Sequence, residues 1–188
     1  MCLLADALSL SVSASERTAT PTISHKEGLA MKAKEGIIDF LNKVVTLELT
    51  AMHQYLLHAA MCGNWGYGRL QHEFHELATE EVGHASKLID HILYLEGTPD
   101  VQSLGPVKSG QNVSKLFEED LKFEQEDANL LREAITHSAK VGDYTTRHKL
   151  EEMIKETEEH IDWFETQLRV IKQVGAENYL GEQMKKEG

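Results

Sequence analysis

A glutamate and a histidine stand three residues apart in the run Glu81-Val82-Gly83-His84. Residues at this spacing lie on one face of an α-helix, so both side chains can bind the same metal ion. The pair also continues a stripe of apolar residues that recur at helical spacing. Those apolar residues are Leu70, Phe74, Leu77, Leu88, Ile92 and Leu95. A carboxylate buried in such a stripe is costly unless a cation or a protonated neighbour compensates it, so the pair is a candidate for a metal site in a helical core.

Three other predicted helices carry similar interruptions of their apolar stripes. Glu48 interrupts the stripe of the first predicted helix (34–62), and Glu124 interrupts the stripe of the third (113–140). His160 interrupts the stripe of the fourth (144–174), and Thr157 stands three residues before it. Dinuclear carboxylate sites in helical bundles take one Glu from each of two helices and a Glu-x-x-His from each of the other two. Five of these six positions are filled, and Thr157 stands where the sixth ligand is expected. Carboxylate with imidazole suits iron, manganese or zinc.

Taken one at a time, these residues have a simpler interpretation. Helices rich in Glu and His often contain Glu-x-x-His by chance, and the side chains are then exposed. Four stripes interrupted near mid-helix favour a shared site instead. The other histidines of the chain fall outside the stripes or in the N-terminal segment and are predicted to be surface residues. They are His25, His53, His58, His72, His75, His91, His137 and His148.

The spacing of apolar residues predicts five helices and the way in which they connect. Turns at 63–66 and 141–143 make two antiparallel hairpins, and Gly97 is predicted to end the second helix as its C′ residue. The connection from Gly97 to Asn112 can extend about 50 Å, further than these helices of about 40 Å, so it can cross the bundle. We expect an all-α, ferritin-like four-helix bundle with a long crossover between helices two and three and a short fifth C-terminal helix. The predicted helices span 34–62, 67–96, 113–140, 144–174 and 176–185.

Composition limits the possible partners and the number of domains. The chain has 188 residues, enough for one domain, and a net charge of −12, which repels nucleic acid and anionic membranes but attracts cations. Two scattered cysteines provide neither a disulfide framework nor a thiolate metal site, which fits a reducing compartment. No apolar run approaches the roughly 18 residues that a membrane span needs. Residues 1–33 are predicted to be a disordered tail or a mis-called start, and residues 34–188 to form the domain.

Several blocks of sequence resemble the bacterioferritin family, over residues 31–188 and without gaps. They are Phe40-Leu41-Asn42-Lys43, Glu48-Leu49, Gln54-Tyr55, Leu57-His58-Ala59, Asn64-Trp65-Gly66, Ile92-Leu93-Tyr94-Leu95-Glu96-Gly97, Leu131-Arg132-Glu133-Ala134-Ile135, His160-Ile161-Asp162-Trp163 and Asn178-Tyr179-Leu180. The resemblance implies a cytoplasmic cage of 24 subunits, either of one kind or mixed with a second bacterioferritin subunit. Such a cage oxidises Fe(II) with dioxygen or peroxide at an intrasubunit di-iron centre and stores the ferric mineral. A ferredoxin for iron release is among the implied partners.

Carried over by position, the family's di-iron ligands fall on the five residues already singled out, with Tyr55 beside the centre. The sixth falls on Thr157, whose neutral hydroxyl removes one carboxylate from a site that needs about four to balance two cations, so affinity for one iron should fall. Glu156 is a possible substitute, although it lies about 100° around the helix from position 157. For Glu156 and for Glu158 a solvated charge is the simpler expectation.

The resemblance also raises the question of haem, which the family binds between two subunits through a pair of methionines. The corresponding residue here is Val82, which has no lone pair for iron, so haem is not expected. Glu76 and Glu80 occupy the positions of an iron site that the family can carry on the inner cage surface. Paired acids on an acidic helix are more often simply solvated.

Two versions of the function remain open. In one, the five ligands with water or Glu156 suffice, and the chain is a ferroxidase altered at Thr157. In the other, the chain is a structural or mineral-nucleating subunit that relies on a partner with a complete centre. A DNA-protecting mini-ferritin is disfavoured because the N-terminal segment has few basic residues. A rubrerythrin-like peroxidase is disfavoured because it needs a cysteine-based iron module.

Overall fold

Five helices and no strands make up residues 32–184, the part of the chain that the computed structural model describes. The predicted all-α bundle of four long helices and a short fifth is confirmed. The predictions for residues 1–31, and the last residue of the predicted fifth helix, lie outside the described range. The helices are α1 (Ile37–Asn64), α2 (Gly68–Tyr94), α3 (Val113–Val141), α4 (Tyr144–Val174) and α5 (Ala176–Gln183). None of them is long and apolar enough to cross a membrane.

Side-chain caps fix the beginnings of the second pair of long helices. The Asn112 side chain accepts a hydrogen bond from the Lys115 amide (3.0 Å) before α3, and Asp143 accepts one from the Thr146 amide (3.0 Å) before α4. Both caps satisfy an amide that has no partner within its helix. Gly142, with φ 73°, supplies the left-handed residue of the turn between α3 and α4. The short loop makes α3 and α4 an antiparallel hairpin.

The end of α2 differs from the prediction that Gly97 is its left-handed C′ residue. That conformation belongs to Glu96, with φ 59°, and the Gly97 amide donates to the Ile92 carbonyl (2.9 Å) in a Schellman-type turn. Gly97 is needed for a different reason, since a Cβ there would lie 2.5 Å from Cδ1 of Ile38. The glycine therefore allows the close approach of α1, and the strained backbone is one residue earlier.

The long crossover between α2 and α3 runs along α1. It is bound by α1 side chains at three levels: the carbonyl of Thr98 accepts from Asn42 (3.1 Å), the Gly105 amide donates to Thr50 (2.8 Å), and the Lys108 amide donates to Gln54 (2.9 Å). Positions 42 and 54 of α1 are separated by about 18 Å along the helix axis. The crossover thus carries the chain to the end of the bundle where α1 finishes. α3 starts there and runs parallel to α2, so the connection crosses the bundle as its length allows.

Two apolar clusters form the core and leave a polar layer between them. One cluster lies near the α1–α2 turn and includes Tyr55, Phe74, Phe117 and Phe164. The other lies near the opposite end of the bundle. Its members include Ile37, Leu41, Leu88, Ile92, Leu131 and Leu150. The residues that interrupt the four stripes fall between the two clusters, halfway along the bundle.

Two histidines that were predicted to be surface residues are buried. His58 is fully buried, and both of its ring nitrogens have partners: Nε2 donates to the Lys108 carbonyl (2.9 Å) and Nδ1 pairs with Asp120 (2.8 Å). His91 donates from Nε2 to the Thr146 hydroxyl (2.7 Å), and burial, followed by the nearby Lys149 charge, lowers its pKa. Helical spacing missed both because each polar ring has hydrogen-bond partners from other segments, which offset the cost of burial.

Candidate metal centre

The five predicted ligand positions come together in the polar layer between the two apolar clusters. Their side chains project from four different helices, and each residue is only 2–6% exposed. They are Glu48 of α1, Glu81 and His84 of α2, Glu124 of α3 and His160 of α4. The core positions that they occupy in the stripes therefore explain why they face one another.

These residues form two clusters that share one carboxylate. Glu48, Glu81 and His84 make one cluster, and Glu81, Glu124 and His160 make the other, with the candidate ligand atoms of each within 4.8 Å of one another. Oε2 of Glu81 lies 3.0 Å from Nδ1 of His84, and its Oε1 lies 3.3 Å from Nδ1 of His160. The two oxygens of Glu81 thus face two imidazoles, the arrangement of a carboxylate that bridges two cations.

Nε2 of each imidazole, the ring nitrogen that points away from Glu81, is hydrogen-bonded to a carboxylate from the facing helix. Nε2 of His84 on α2 hydrogen-bonds to Glu156 on α4, and Nε2 of His160 on α4 hydrogen-bonds to Glu80 on α2 (2.9 Å). These contacts direct both Nδ1 atoms towards Glu81. The expectation that Glu156 is a solvated charge is wrong, although its side chain is 43% exposed at the rim. Glu158, in contrast, is exposed and pairs with Arg132 (2.8 Å).

Burial dominates the electrostatics of the carboxyl groups in the centre, and like charges add to its effect. Burial, then the charges of Asp127 and Glu81, raise the pKa of Glu48 well above its ordinary value. Burial also raises the pKa of Glu124. Although burial opposes it, the close contacts of Glu81 with the imidazoles of His160 and His84 hold the pKa of Glu81 well below its ordinary value. Without a cation, the centre thus disfavours the ionised forms of Glu48 and Glu124 and favours that of Glu81.

The two imidazoles carry the compensating charge. Burial acts to lower both pKa values, but Glu81 raises that of His84 to about 9, and Glu124 with Glu81 raises that of His160 to about 11. Both rings are therefore protonated near neutral pH. A metal ion that binds Nδ1 takes the place of the proton there.

Unpartnered buried atoms show that the residues fit metal ions. Oε1 of Glu48 and Nδ1 of His160 have no hydrogen-bond partner, since the contacts of that nitrogen with Glu81 and Glu124 (3.3 and 3.5 Å) lack hydrogen-bond geometry. Tyr55, as expected, lies beside the centre and donates its hydroxyl to Oε1 of Glu124. Three carboxylates and two imidazoles around a shared bridge suit two divalent transition metals.

Thr157 and Asp127 complete the polar layer. The Thr157 hydroxyl lies 3.3 Å from Oδ2 of Asp127 and 3.2 Å from the Met153 carbonyl. Burial, then the charges of Glu124 and Glu81, raise the pKa of Asp127 well above its ordinary value. Asp127 was missed in the sequence because it sits in the acidic run Glu124-Gln125-Glu126-Asp127. Its spacing of three from Glu124 was the signal, since it places both carboxylates on one helix face.

Comparison with known proteins gives consistent matches. Residues 38–174 match the ferritin-like domain family. The chain is 39% identical to the bacterioferritin of Brucella melitensis over 149 residues, which cover 79% of this chain and 92% of that protein. It is 38% identical to the bacterial ferritin of Synechocystis sp., over 82% of this chain and 99% of that protein. With the bacterioferritin of Rhodobacter capsulatus it shares 36% identity, over 79% of this chain and 92% of that protein.

Proposed function

The chain belongs to the bacterioferritin family of ferritin-like proteins, and from that membership we propose that it stores iron and oxidises Fe(II) at its buried centre. The observation that carries the oxidation step is Glu81, which is shared by two clusters and offers one oxygen to each. Two Fe(II) ions held this close can deliver two electrons together. The proposed ligands are Glu48, Glu81, His84, Glu124 and His160.

Fe(II) is the substrate of the proposed reaction, and a di-iron site is where it reacts. Two Fe(II) ions lose one electron each, and the two electrons with two protons reduce dioxygen to hydrogen peroxide, or peroxide to two water molecules. Glu48 and His84 would orient one ion, and Glu124 and His160 the other, with Glu81 between them. Ferric ion is a harder acid than ferrous ion, so this carboxylate-rich set favours the product of oxidation.

The residues around the ligands control water and orientation. Tyr55 is fully buried, and its hydroxyl holds Glu124 by a hydrogen bond. Phe164 stacks on the Tyr55 ring at a centroid distance of 6.1 Å, which closes the centre towards the α1–α2 turn. Glu80 and Glu156 hold the imidazoles from the opposite, partly exposed rim. We propose this rim as the side from which Fe(II) approaches, because both carboxylates there attract cations.

Thr157 favours a second candidate function. A neutral hydroxyl at a ligand position removes one negative charge, so one of the two ions could bind too weakly for paired oxidation. In that case the chain is a structural or mineral-nucleating subunit, and a second bacterioferritin subunit performs the oxidation. Assembly into a cage of 24 subunits, alone or mixed, and a ferredoxin as the partner in iron release follow from the family and stay predictions.

Stopped-flow oxidation of Fe(II) by the purified metal-free protein separates the two functions. We expect oxidation much faster than in buffer, and a loss of at least 100-fold in the Glu81→Gln variant, which removes the shared charge. Glu133→Gln, an exposed acid on α3, is the matched control and should keep the wild-type rate. A wild-type rate equal to that of buffer alone would refute the ferroxidase and leave the structural subunit.

Haem binding is a separate prediction. Val82 is 48% exposed on α2 and stands directly after Glu81. Its side chain offers no ligand atom, so we predict no haem ligated in the family's manner. An absorption spectrum with a Soret band of stoichiometric strength in the purified oligomer would contradict this.

The family's cytoplasmic location is likewise proposed for this chain.

A further inference from the structure

One buried carboxylate beside the centre belongs to neither donor cluster. Asp127 is 5% exposed and stands one helical turn after Glu124 on the same face of α3. Its Oδ1 is buried without any hydrogen-bond partner. A buried carboxylate oxygen of this kind costs free energy, so a residue with no other role would be expected to carry an apolar side chain here.

The other oxygen of Asp127 is held only weakly. Oδ2 lies 3.3 Å from the Thr157 hydroxyl, which lies 3.2 Å from the Met153 carbonyl. A threonine hydroxyl has a single hydrogen, so it can donate to only one of these acceptors at a time. The contact therefore places Asp127 beside Thr157 but does not satisfy the hydrogen-bonding capacity of the carboxylate.

The charge of Asp127 completes the balance of a dinuclear site. Glu48, Glu81 and Glu124 supply three negative charges against the four positive charges of two divalent cations. Asp127 brings the number of carboxylates to four. The charge of Asp127 raises the pKa of Glu48, which belongs to one cluster. The charge of Glu124, which belongs to the other cluster, raises the pKa of Asp127. Asp127 thus lies within electrostatic range of a carboxylate of each cluster, and its contact with Thr157 places it at the position of the missing ligand.

We propose that Asp127 supplies the fourth carboxylate of the di-iron site, in place of the one missing at Thr157. The ligand has moved from α4 to the facing helix α3, and the Thr157 hydroxyl orients it there. Without metal, Asp127 belongs to neither of the two clusters. Bound cations attract a carboxylate and would draw Oδ1 inward. This inference rests on the proposed function, since it presumes that two ions bind.

Anaerobic titration of the metal-free protein with Co(II) tests the proposal without any turnover. The visible absorption of the bound ion and calorimetry give the number of ions per subunit and the affinity for each. We expect two ions in the wild type. In Asp127→Asn, which keeps the shape of the side chain, the second ion should bind at least ten-fold more weakly. Glu133→Gln, with the same loss of charge on the exposed face of α3, should bind two ions as the wild type does.

A double variant provides the converse test. Asp127→Asn with Thr157→Glu returns the carboxylate to α4 and should restore tight binding of both ions. If Asp127→Asn does not fold, Asp127→Ser is titrated in its place: a weakened second ion supports the proposal, and two tightly bound ions overturn it. Wild-type affinity for both ions in folded Asp127→Asn would overturn it as well. Fewer than two ions in the wild type would instead refute the proposed di-iron function, on which this inference depends.

Discussion

At the scale of single residues, the carboxylates behind the imidazoles govern how well the centre can hold a metal ion. Glu156 and Glu80 each bind the outer nitrogen of a histidine from the facing helix. Such contacts fix the ring orientation and the tautomer, and they raise the basicity of the nitrogen that binds metal. Glu156 therefore acts through His84 as a positioning residue, and the predicted role of direct substitute for Thr157 is not what its position supports.

We predict that Glu156→Ala weakens Co(II) binding at the His84 position by 10- to 100-fold, because the imidazole loses its orienting partner. Glu156→Gln should recover part of that loss, since an amide can still hydrogen-bond to the ring. Glu152→Ala, an exposed acid one turn earlier on α4, is the control. Equal affinities for wild type and Glu156→Ala in a calorimetric titration would show that the contact has no positioning role.

The sequence could predict the five residues of the centre because each stands at a core position of a helical stripe, where a polar side chain is conspicuous. It could not single out Asp127, which is one acid among several in its run. Glu156 was misjudged because its contact depends on how α2 and α4 pack together. His58 was misjudged for a similar reason, since its partners come from α3 and the crossover. Sequence spacing describes a single helix and does not describe its neighbours.

At the scale of the elements, a buried polar network joins α2 to the turn between α3 and α4. Asp143 caps α4 and also accepts the Thr146 hydroxyl (2.7 Å), which in turn accepts from Nε2 of His91 (2.7 Å). The chain requires a hydrogen on Nε2 of His91, which both the neutral Nε2–H tautomer and the protonated ring provide. The pKa of His91 is lowered, first by burial and then by the Lys149 charge, so the neutral ring is favoured there.

We predict that this network makes stability depend on pH. Because the folded pKa of His91 lies below the ordinary value of 6.5, the unfolded chain binds the proton more readily. The contribution of His91 is therefore complete above about pH 6.5 and is lost as the pH falls below it. The free energy of unfolding, measured with urea at pH 8 and pH 5.5, should fall further for the wild type than for His91→Gln. His75→Gln, exposed on the same helix, should behave as the wild type, and identical pH dependence in all three proteins would contradict the prediction.

The elements themselves could largely be predicted from the sequence, and their junctions less well. The length of the crossover showed that it can cross the bundle, but its path along α1 depends on Asn42, Thr50 and Gln54, which helical spacing does not mark. The end of α2 was predicted from the usual preference for glycine at C′. The structure shows instead that Glu96 takes the left-handed conformation and that Gly97 packs closely against Ile38, and neither is visible in the spacing of one helix.

At the scale of the whole molecule, the polar layer divides the apolar core into two halves and sets a limit on stability without metal. Four carboxylates, those of Glu48, Glu81, Glu124 and Asp127, are buried together there with only two imidazoles. Repulsion and lost hydration act against folding at that layer. Bound cations would compensate both, so metal binding and folding are coupled through the middle of the bundle.

We therefore predict that the protein unfolds at a higher temperature with metal than without it. A divalent ion at 100 times its dissociation constant stabilises the fold by about 2.7 kcal/mol for each site, provided that the unfolded chain does not bind it. Glu81→Gln should unfold at a lower temperature than the wild type when both are metal-free, because the charge that pairs with the protonated rings of His84 and His160 is removed, and it should gain much less from added Co(II). Thermal unfolding followed by circular dichroism, with and without chelator, measures both effects. A wild-type protein whose unfolding temperature is unchanged by Co(II) would show that the polar layer is a stable part of the fold without cations, and that its carboxylates are held in their protonated forms.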